Sequence, residues 1–382
     1  MILFLALLIP AALYAGVIIF LKRGLLNLTP AGKSANNKYT VVIAARNEEN
    51  NISHCLSSVI NQDIGENRYE IIVVDDRSTD STAETVKQFV NSHGNIQLVK
   101  IEQTAPGISP KKHAVQQGVQ RAKNEFVVFT DADCVVPDTW LSTIDKYFAK
   151  DTGVVQGITC YSEHNEMNTL FYGIQAIDFL SHGVVAAAAI GAGLPINSNA
   201  NNFAFSKEAF LSCGYGNKCA VVSGDDDLML QQIWKSKKWK IAFMADAKGA
   251  VQTNPTLTIK QAMEQRKRWG SKTVHYCAPQ VALLSSVFLF YLVTALLFGI
   301  SLFDRMYLPA AGAMLGLKCA GEALLLLPGT EIFNKKQLRR YMIVASVIQL
   351  PVVLLSVISG VFGRFNWKDQ SFSRRVKKGS QA

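Results

Sequence analysis

The sequence predicts an α/β protein, an open and mostly parallel sheet with alternating helices, joined at both ends to α-helical transmembrane segments. Three observations predict it. Short β-branched runs alternate with amphipathic stretches between residues 38 and 255, long uncharged runs lie near both ends of the chain, and acidic residues stand just past the ends of the β-branched runs.

The N-terminal run, residues 1–21, carries no charge and is followed at once by Lys22 and Arg23, long enough to cross a hydrocarbon core. A cleavable leader has its basic residues before the apolar run and a small-residue site after it. Here the order is reversed, which predicts an uncleaved anchor with its N-terminus outside and Lys22 inside.

From 38 to 255 the pattern is that of one catalytic-size domain. TVVIAA (40–45) reads as a first strand, followed by a helix over 49–61 with apolar positions at 52, 55, 56, 59 and 60. EIIVVDD (70–76) is a second buried strand, ending in two carboxylates and a turn in which Ser78 or Asp80 can cap the next helix. IQLVKI (96–101) and FVVFTDAD (126–133) repeat the pattern, with a helix over 111–122 between them. The stretch 168–196 is apolar and rich in small residues. It reads either as a core helix with a loop or as an interfacial helix, and its His182 is assigned no role.

Residues 256–275 form an interfacial segment holding QRKRW (265–269). Beyond it, 279–303 and 341–363 are uncharged and long enough to span. The apolar stretch 306–328 holds Lys318 and Glu322, four apart on one helical face, so it spans within a bundle, lies in the interface or re-enters. The region 279–363 thus supplies two or three spans, and 364–382 is a basic tail. Two spans keep that tail inside and three expose it; its six basic residues against four at 335–340 favour an inside tail.

Charge narrows the function classes. The chain has 39 Lys and Arg against 29 Asp and Glu, a net +10. Residues 22–255, however, hold 22 basic and 24 acidic residues, whereas 279–382 hold 12 and 4. The excess follows the membrane boundaries, which argues against a nucleic-acid partner. The seven cysteines form no C-x-x-C pair, so neither a disulfide framework nor a zinc site is indicated, and a reducing compartment is.

In open α/β sheets ligands bind beyond the carboxyl ends of the strands. Arg46-Asn47-Glu48, Asp75-Asp76 and Asp131-Ala132-Asp133 should therefore line one crevice. No G-x-G-x-x-G follows the first strand and no P-loop occurs, which argues against a dinucleotide fold and a P-loop ATPase. Asp131 and Asp133 offer hard oxygen ligands for Mg2+ or Mn2+, with nucleotide phosphates completing the shell. Alone, each signal has a plainer reading: D-x-D as a surface turn, VDDRSTD as a capped strand-to-helix boundary. In SGDDDLMLQQIW (223–234) one acid suffices to cap a helix. Three in a row repel, which should raise the pKa of at least one and suits a general base. In QRKRW, Arg268 either snorkels at the membrane boundary or clamps a diphosphate.

In order, ARNEE (45–49), VVDDRSTD (73–80), PKKHAVQQG (110–118), TDADC (130–134), NSNANNFAFSKEAF (197–210), GDDD (224–227) and QRKRW resemble the membrane-associated members of glycosyltransferase family 2, which have a GT-A fold. The resemblance covers about residues 38–275. It implies that Ala45, Asn47, Glu48, Asp75, Asp76, Lys111, Asp131, Asp133 and Arg268 serve a nucleotide-diphosphate sugar donor, UDP-linked by preference. Asp131 and Asp133 correspond to the D-x-D metal ligands. Asp226 corresponds to the base, with Asp225 the rival by an alternative alignment. Asn201, Gln265 and Trp269 fall on the acceptor side, although the segment around Asn201 departs from the family's commoner small-Gly-x-Asn pattern.

The resemblance implies an inverting transfer at the cytoplasmic face of a multi-pass membrane protein of the bacterial inner-membrane type. Its acceptor is either a lipid or a growing glycan. A polymer exporter needs a polar or aromatic channel built from several spans, whereas this sequence offers three or four spans of low polarity, which favours a lipid acceptor over a processive synthase of the cellulose, chitin or hyaluronan type. A reading of another class, a non-catalytic nucleotide-sugar sensor or envelope scaffold, keeps the same fold.

Overall fold

The structure, a computed structural model, describes residues 2–104, 108–162, 169–214, 225–362, 364–367 and 370–373. In chain order the elements are α1 (Ile2–Leu26), β1 (Tyr39–Ala45), α2 (Ile52–Ile60), β2 (Tyr69–Asp76), α3 (Thr82–Ser92), β3 (Ile96–Ile101), α4 (Pro110–Arg121) and β4 (Phe126–Asp131). These match the predicted strands and helices closely, because each buried run is bounded by turn residues that leave little freedom in where it ends. There follow β5 (Cys134–Val135), α5 (Trp140–Asp145), β6 (Thr152–Gln156), β7 (Thr159–Tyr161), α6 (Leu170–Gly191), β8 (Phe203–Ser206), α7 (Lys207–Ser212), α8 (Asp225–Ser236), β9 (Lys240–Phe243) and β10 (Val251–Thr253). The chain continues with α9 (Ile259–Lys272), α10 (Ala278–Ser301), α11 (Leu308–Ile332), α12 (Met342–Phe362), β11 (Arg364–Trp367) and β12 (Gln370–Ser373).

Seven strands form one sheet in the order β3-β2-β1-β4-β8-β6-β9. All neighbours are parallel except β8, which runs antiparallel to both β4 and β6. Strand β1 is buried on both faces between β2 and β4, in a register that sets Ala45 beside Asp75 and Ala44 beside Asp131. This brings the carboxyl ends of three strands to one edge. One face of the sheet is covered by α2, α3 and α5 over a core including Ile43, Leu56, Val73 and Trp140. The other is covered by α4 and α8 over Val42, Val74, Phe205 and Leu230.

The linker after α1 is tied to this body by a buried carboxylate. Asp145 on α5 accepts from the Asn36 and Asn37 amides, from Tyr39 Oη at 2.7 Å and from Arg68 Nη2 at 3.0 Å. Among the described residues, five helices, α1, α6 and α10 to α12, are long and apolar enough to cross a membrane. Helix α6, left open between core and interface by its sequence, is the most buried of the five, with 72% of its apolar window inside the protein. It runs from β7, which pairs with β10 in a three-stranded sheet, to β8 of the main sheet. It forms a floor beneath the catalytic body and packs on α1 so closely that a Cβ on Gly24 would overlap the Ala188 carbonyl.

Helix α11 is a single helix of 25 residues. Its Lys318 is fully buried, 2.5 Å from Glu322 Oε1 and 2.7 Å from the Ser346 carbonyl, and Tyr291 Oη on α10 donates to the same Glu322 oxygen at 2.9 Å. The expected same-face pair is therefore a buried ion pair inside a helix bundle, where each charge has a partner. Helix α12 runs alongside α9, with Gly360 against the backbone of Lys267 and Ser271, and Gly270 3.1 Å from the Ser356 carbonyl to a virtual Cβ. Just before its other end, the Tyr341 ring packs on Gly173 in the first turn of α6. Both ends of α12 thus touch the underside of the catalytic body.

Candidate active site

At the carboxyl edge of the sheet, the loops after β1 and β2 hold each other. Asn47 has φ +52° and Arg77 φ +59°, left-handed conformations that reverse the chain sharply after each strand. The Asn47 amide donates to Ser78 Oγ at 3.0 Å, Asn47 Oδ1 accepts from the Thr79 amide at 2.9 Å, and the Glu48 amide donates to Thr82 Oγ1 at 2.8 Å. Asp75 Oδ1 accepts from the Ser78 amide at 3.1 Å, closing an Asx-type turn. Asn47 and Asp75 thus help to build the turns that border the crevice. Both stand one residue from the crevice-lining position, and period alone cannot tell a turn-holding acid from a ligand-facing one.

The crevice itself, about 180 Å³, is walled by Ala45, Glu48, Asp76, Lys111, Asp131 and Asp133, with Arg268 closing it from α9. Asp76 is nearly buried and accepts from Arg77 Nε at 2.9 Å. Lys111 enters from the first turn of α4, whose start is set by Ser109 as cap and Pro110 at the first helical position. Its Nζ lies 2.5 Å from Asp131 Oδ1. Asp133 is pushed upward from the usual carboxylate range by burial and by the charges of Asp131 and Glu48.

The donor set fits a divalent cation. Its carboxylates are hard oxygens, their mutual repulsion is what an added positive charge relieves, and Asp131 already binds one cation, the Lys111 ammonium. Among the described residues no cluster of three or more ligands occurs, so a cation here needs oxygens from a bound phosphate to complete its shell.

A second cavity of about 430 Å³ shares Lys111, Asp131, Asp133 and Arg268 with the crevice and opens beneath it. Asn201, Asp226, Gln265 and Trp269 all line it. Asn201 is fixed by Thr159 Oγ1, which donates to its Oδ1 at 2.7 Å. Trp269 stands with its ring 5.1 Å from His182, 6.1 Å from Phe179 and 4.4 Å beneath the Arg266 guanidinium. Arg266 in turn pairs with Asp178 of α6, and Asp178 accepts from Gln349 Nε2 of α12 at 3.0 Å. The motif helix is thereby held from two directions.

The acidic triplet divides in a way that repulsion alone did not foretell. The side chain of Asp225 lies outside the described residues. Asp226 faces the cavity and, although burial pushes its carboxyl up, the Lys272 and Lys111 ammonium groups hold it below the usual range. The raised group is instead Asp227, pushed up to about 6 chiefly by burial. It is fully buried, accepts from the Ser198 amide at 2.6 Å and bonds both Tyr276 Oη and Lys272. Lys272 and Tyr276 were not singled out from the sequence. The signal was present as spacing: 268, 272 and 276 recur every four residues from the motif arginine.

A cavity-facing carboxylate, a guanidinium and a paired-acid crevice are thus gathered at the carboxyl edge of a mainly parallel sheet. The chain belongs to the glycosyltransferase-like family 2, whose sequence model matches residues 36–271. It is similar to a poly(ribitol-phosphate) beta-glucosyltransferase of Bacillus spizizenii, 36% identical over 98 residues that are 25% of this chain and 15% of that protein. It is also similar to a 4,4'-diaponeurosporenoate glycosyltransferase of Staphylococcus aureus, 33% identical over 129 residues, 34% of this chain and 32% of that protein. The matched stretches thus span a third or less of these relatives. Among solved structures, a mannosyltransferase of Pyrobaculum calidifontis in complex with GDP-Man and Mn2+ shares the fold, with TM-score 0.60 and 18% identity over 94% of this chain and 98% of that one.

Proposed function

We propose that the chain is an inverting glycosyltransferase that moves a sugar from a nucleotide-diphosphate sugar to a membrane lipid at the cytoplasmic face. One observation carries the acceptor assignment: the cavity holding Asp226 continues down to Leu284 of α10 and Gln349, Val352, Val353 and Val357 of α12. A lipid headgroup can reach the base while its hydrocarbon stays among apolar side chains. A water-soluble polymer would gain nothing from these walls.

In this reading Asp76, Lys111 and Glu48 hold the nucleotide end of the donor. Asp131 and Asp133 hold Mg2+ or Mn2+, which when bound neutralises charge on the leaving diphosphate. Asp226 removes the proton from the acceptor hydroxyl, and the oxygen attacks the sugar C1 from the face opposite the nucleotide. Arg268 stabilises the departing diphosphate. A single displacement inverts the anomeric centre. Full-length protein given labelled UDP- and GDP-linked sugars, with and without Mn2+, should place label in the organic extract. Label confined to an aqueous polymer would sink the lipid assignment in favour of a processive synthase.

The membrane reading departs from the sequence expectation at 341–363. That stretch is long enough to span, but a crossing helix must separate its ends by the thickness of the hydrocarbon core, about 30 Å. The contacts of Tyr341, just before α12, with α6 and of Gly360, near its far end, with α9 support a helix lying along the membrane surface, with Ile343, Val347 and Ile358 on its exposed side. Helices α1, α10 and α11 then cross. In this arrangement the basic residues of 335–340 and the tail lie on the catalytic side together, as the positive-inside rule favours for both. A fluorescent protein fused after Ala382 should therefore glow in a bacterial host. A dark fusion, matched by an active alkaline phosphatase fused at the same point, would restore α12 as a span.

A further inference from the structure

Resting on the lipid-acceptor reading, we infer that the acceptor is an uncharged lipid alcohol and that the cavity selects against lipids whose attacking group is a phosphate or carboxylate. The ground is how charge is distributed around the cavity. Four cationic side chains line it, and each faces acid. Lys272 pairs with the fully buried Asp227, and Arg266 with Asp178, in a pair whose side chains are only 11% and 14% exposed. Lys111 pairs with Asp131 at 2.5 Å, and Arg268 lies in the field of Asp131, Asp226 and Asp133.

Asp131, Asp133, Asp178 and Asp226 balance these four cations, and Asp227 behind the wall leaves an excess of negative charge. The donor does not change the sum, since a divalent cation offsets its diphosphate. On the membrane side, the described lining residues from α10 and α12 include neither Lys nor Arg. An anionic headgroup entering from there would lose its hydration and meet no uncompensated positive charge.

The chemistry of the step agrees with this. When an alcohol reacts, its O–H proton passes to Asp226, the oxygen forms the bond to C1, and the C1–O bond to the diphosphate breaks with its electron pair leaving on the diphosphate. A phosphate oxygen arrives already deprotonated. It has no proton to give, and a carboxylate at the point of attack repels it. A base placed here is useful for an alcohol and harmful for an anion.

The test uses full-length protein in nanodiscs of zwitterionic lipid, with Mn2+ and the donor found active above. Diacylglycerol and N-acylsphingosine are offered as uncharged alcohols, and polyprenyl phosphate as the anion, at equal mole fraction. The alcohols should be labelled at least about tenfold faster than the phosphate. Equal or faster labelling of polyprenyl phosphate overturns the inference while leaving a lipid acceptor intact; label found solely in aqueous polymer overturns the lipid acceptor and the inference with it. In a second arm, Asp178→Asn takes the counter-charge from Arg266 and should shift the ratio at least severalfold towards the phosphate. Donor-binding by the variant shows that it is folded, and an unchanged ratio in a donor-binding variant counts against charge balance as the selector.

Discussion

Asp226→Asn should lower sugar transfer by about 10³-fold or more while leaving donor binding close to that of the unchanged protein. Asparagine keeps the size of the side chain and its place at the start of α8 but cannot take a proton. The loss should therefore fall on kcat, with the KM for the nucleotide sugar little moved. Because Lys272 and Lys111 hold Asp226 below the usual carboxylate range, the group stays ionised as pH falls through that range. The acid limb of the rate profile should accordingly lie lower than an ordinary carboxylate base would give. Asp225→Asn is the companion measurement. Full activity in Asp226→Asn together with inactivity in Asp225→Asn would move the base by one residue, and full activity in both would remove it from this helix.

Lys272→Met should destabilise the protein by about 3 kcal/mol, the cost of leaving one member of a buried ion pair without its partner. Asp227 is fully buried, and the hydrogen bonds from the Ser198 amide and Tyr276 would remain but could not neutralise it. Transfer should fall as well, since Lys272 also sets the charge felt by Asp226. Thermal unfolding in detergent, read as a drop of several degrees, checks the first effect. The double variant Lys272→Met/Asp227→Asn separates the two: it removes the buried charge and should recover most of the stability but not the rate. If the single variant melts with the unchanged protein, the pair is not a structural clamp.

These two residues also mark the limit of what sequence reading could reach. The strand ends at Ala45, Asp76 and Asp131 were legible because a buried parallel strand is a run of apolar residues closed by polar ones. The rule that ligands bind at such ends needs no coordinates. Gln265, Arg268 and Trp269 were singled out by their resemblance to a family motif, and Lys318 with Glu322 by their spacing on one helical face. Asn47 and Asp75, expected at the donor, also hold the turns through Ser78 and Thr79, a role the sequence did not reveal because side chains that lock a turn have the same composition as side chains that bind a ligand. The pairing of Lys272 with Asp227, 45 positions apart, has no local signature.

By itself, the sequence determined the alternating sheet, the acid-bearing strand ends, the family and the apolar helices, all of which follow from periodicity and residue type over short distances. The tertiary structure decided what depends on which distant surfaces meet. It turned the acidic triplet into one cavity-facing carboxylate and one clamp, and it buried most of α6 within the protein. It laid α12 along the motif helix, a packing of distant segments that hydropathy cannot register, since hydropathy measures only the length and polarity of the helix's 21 residues.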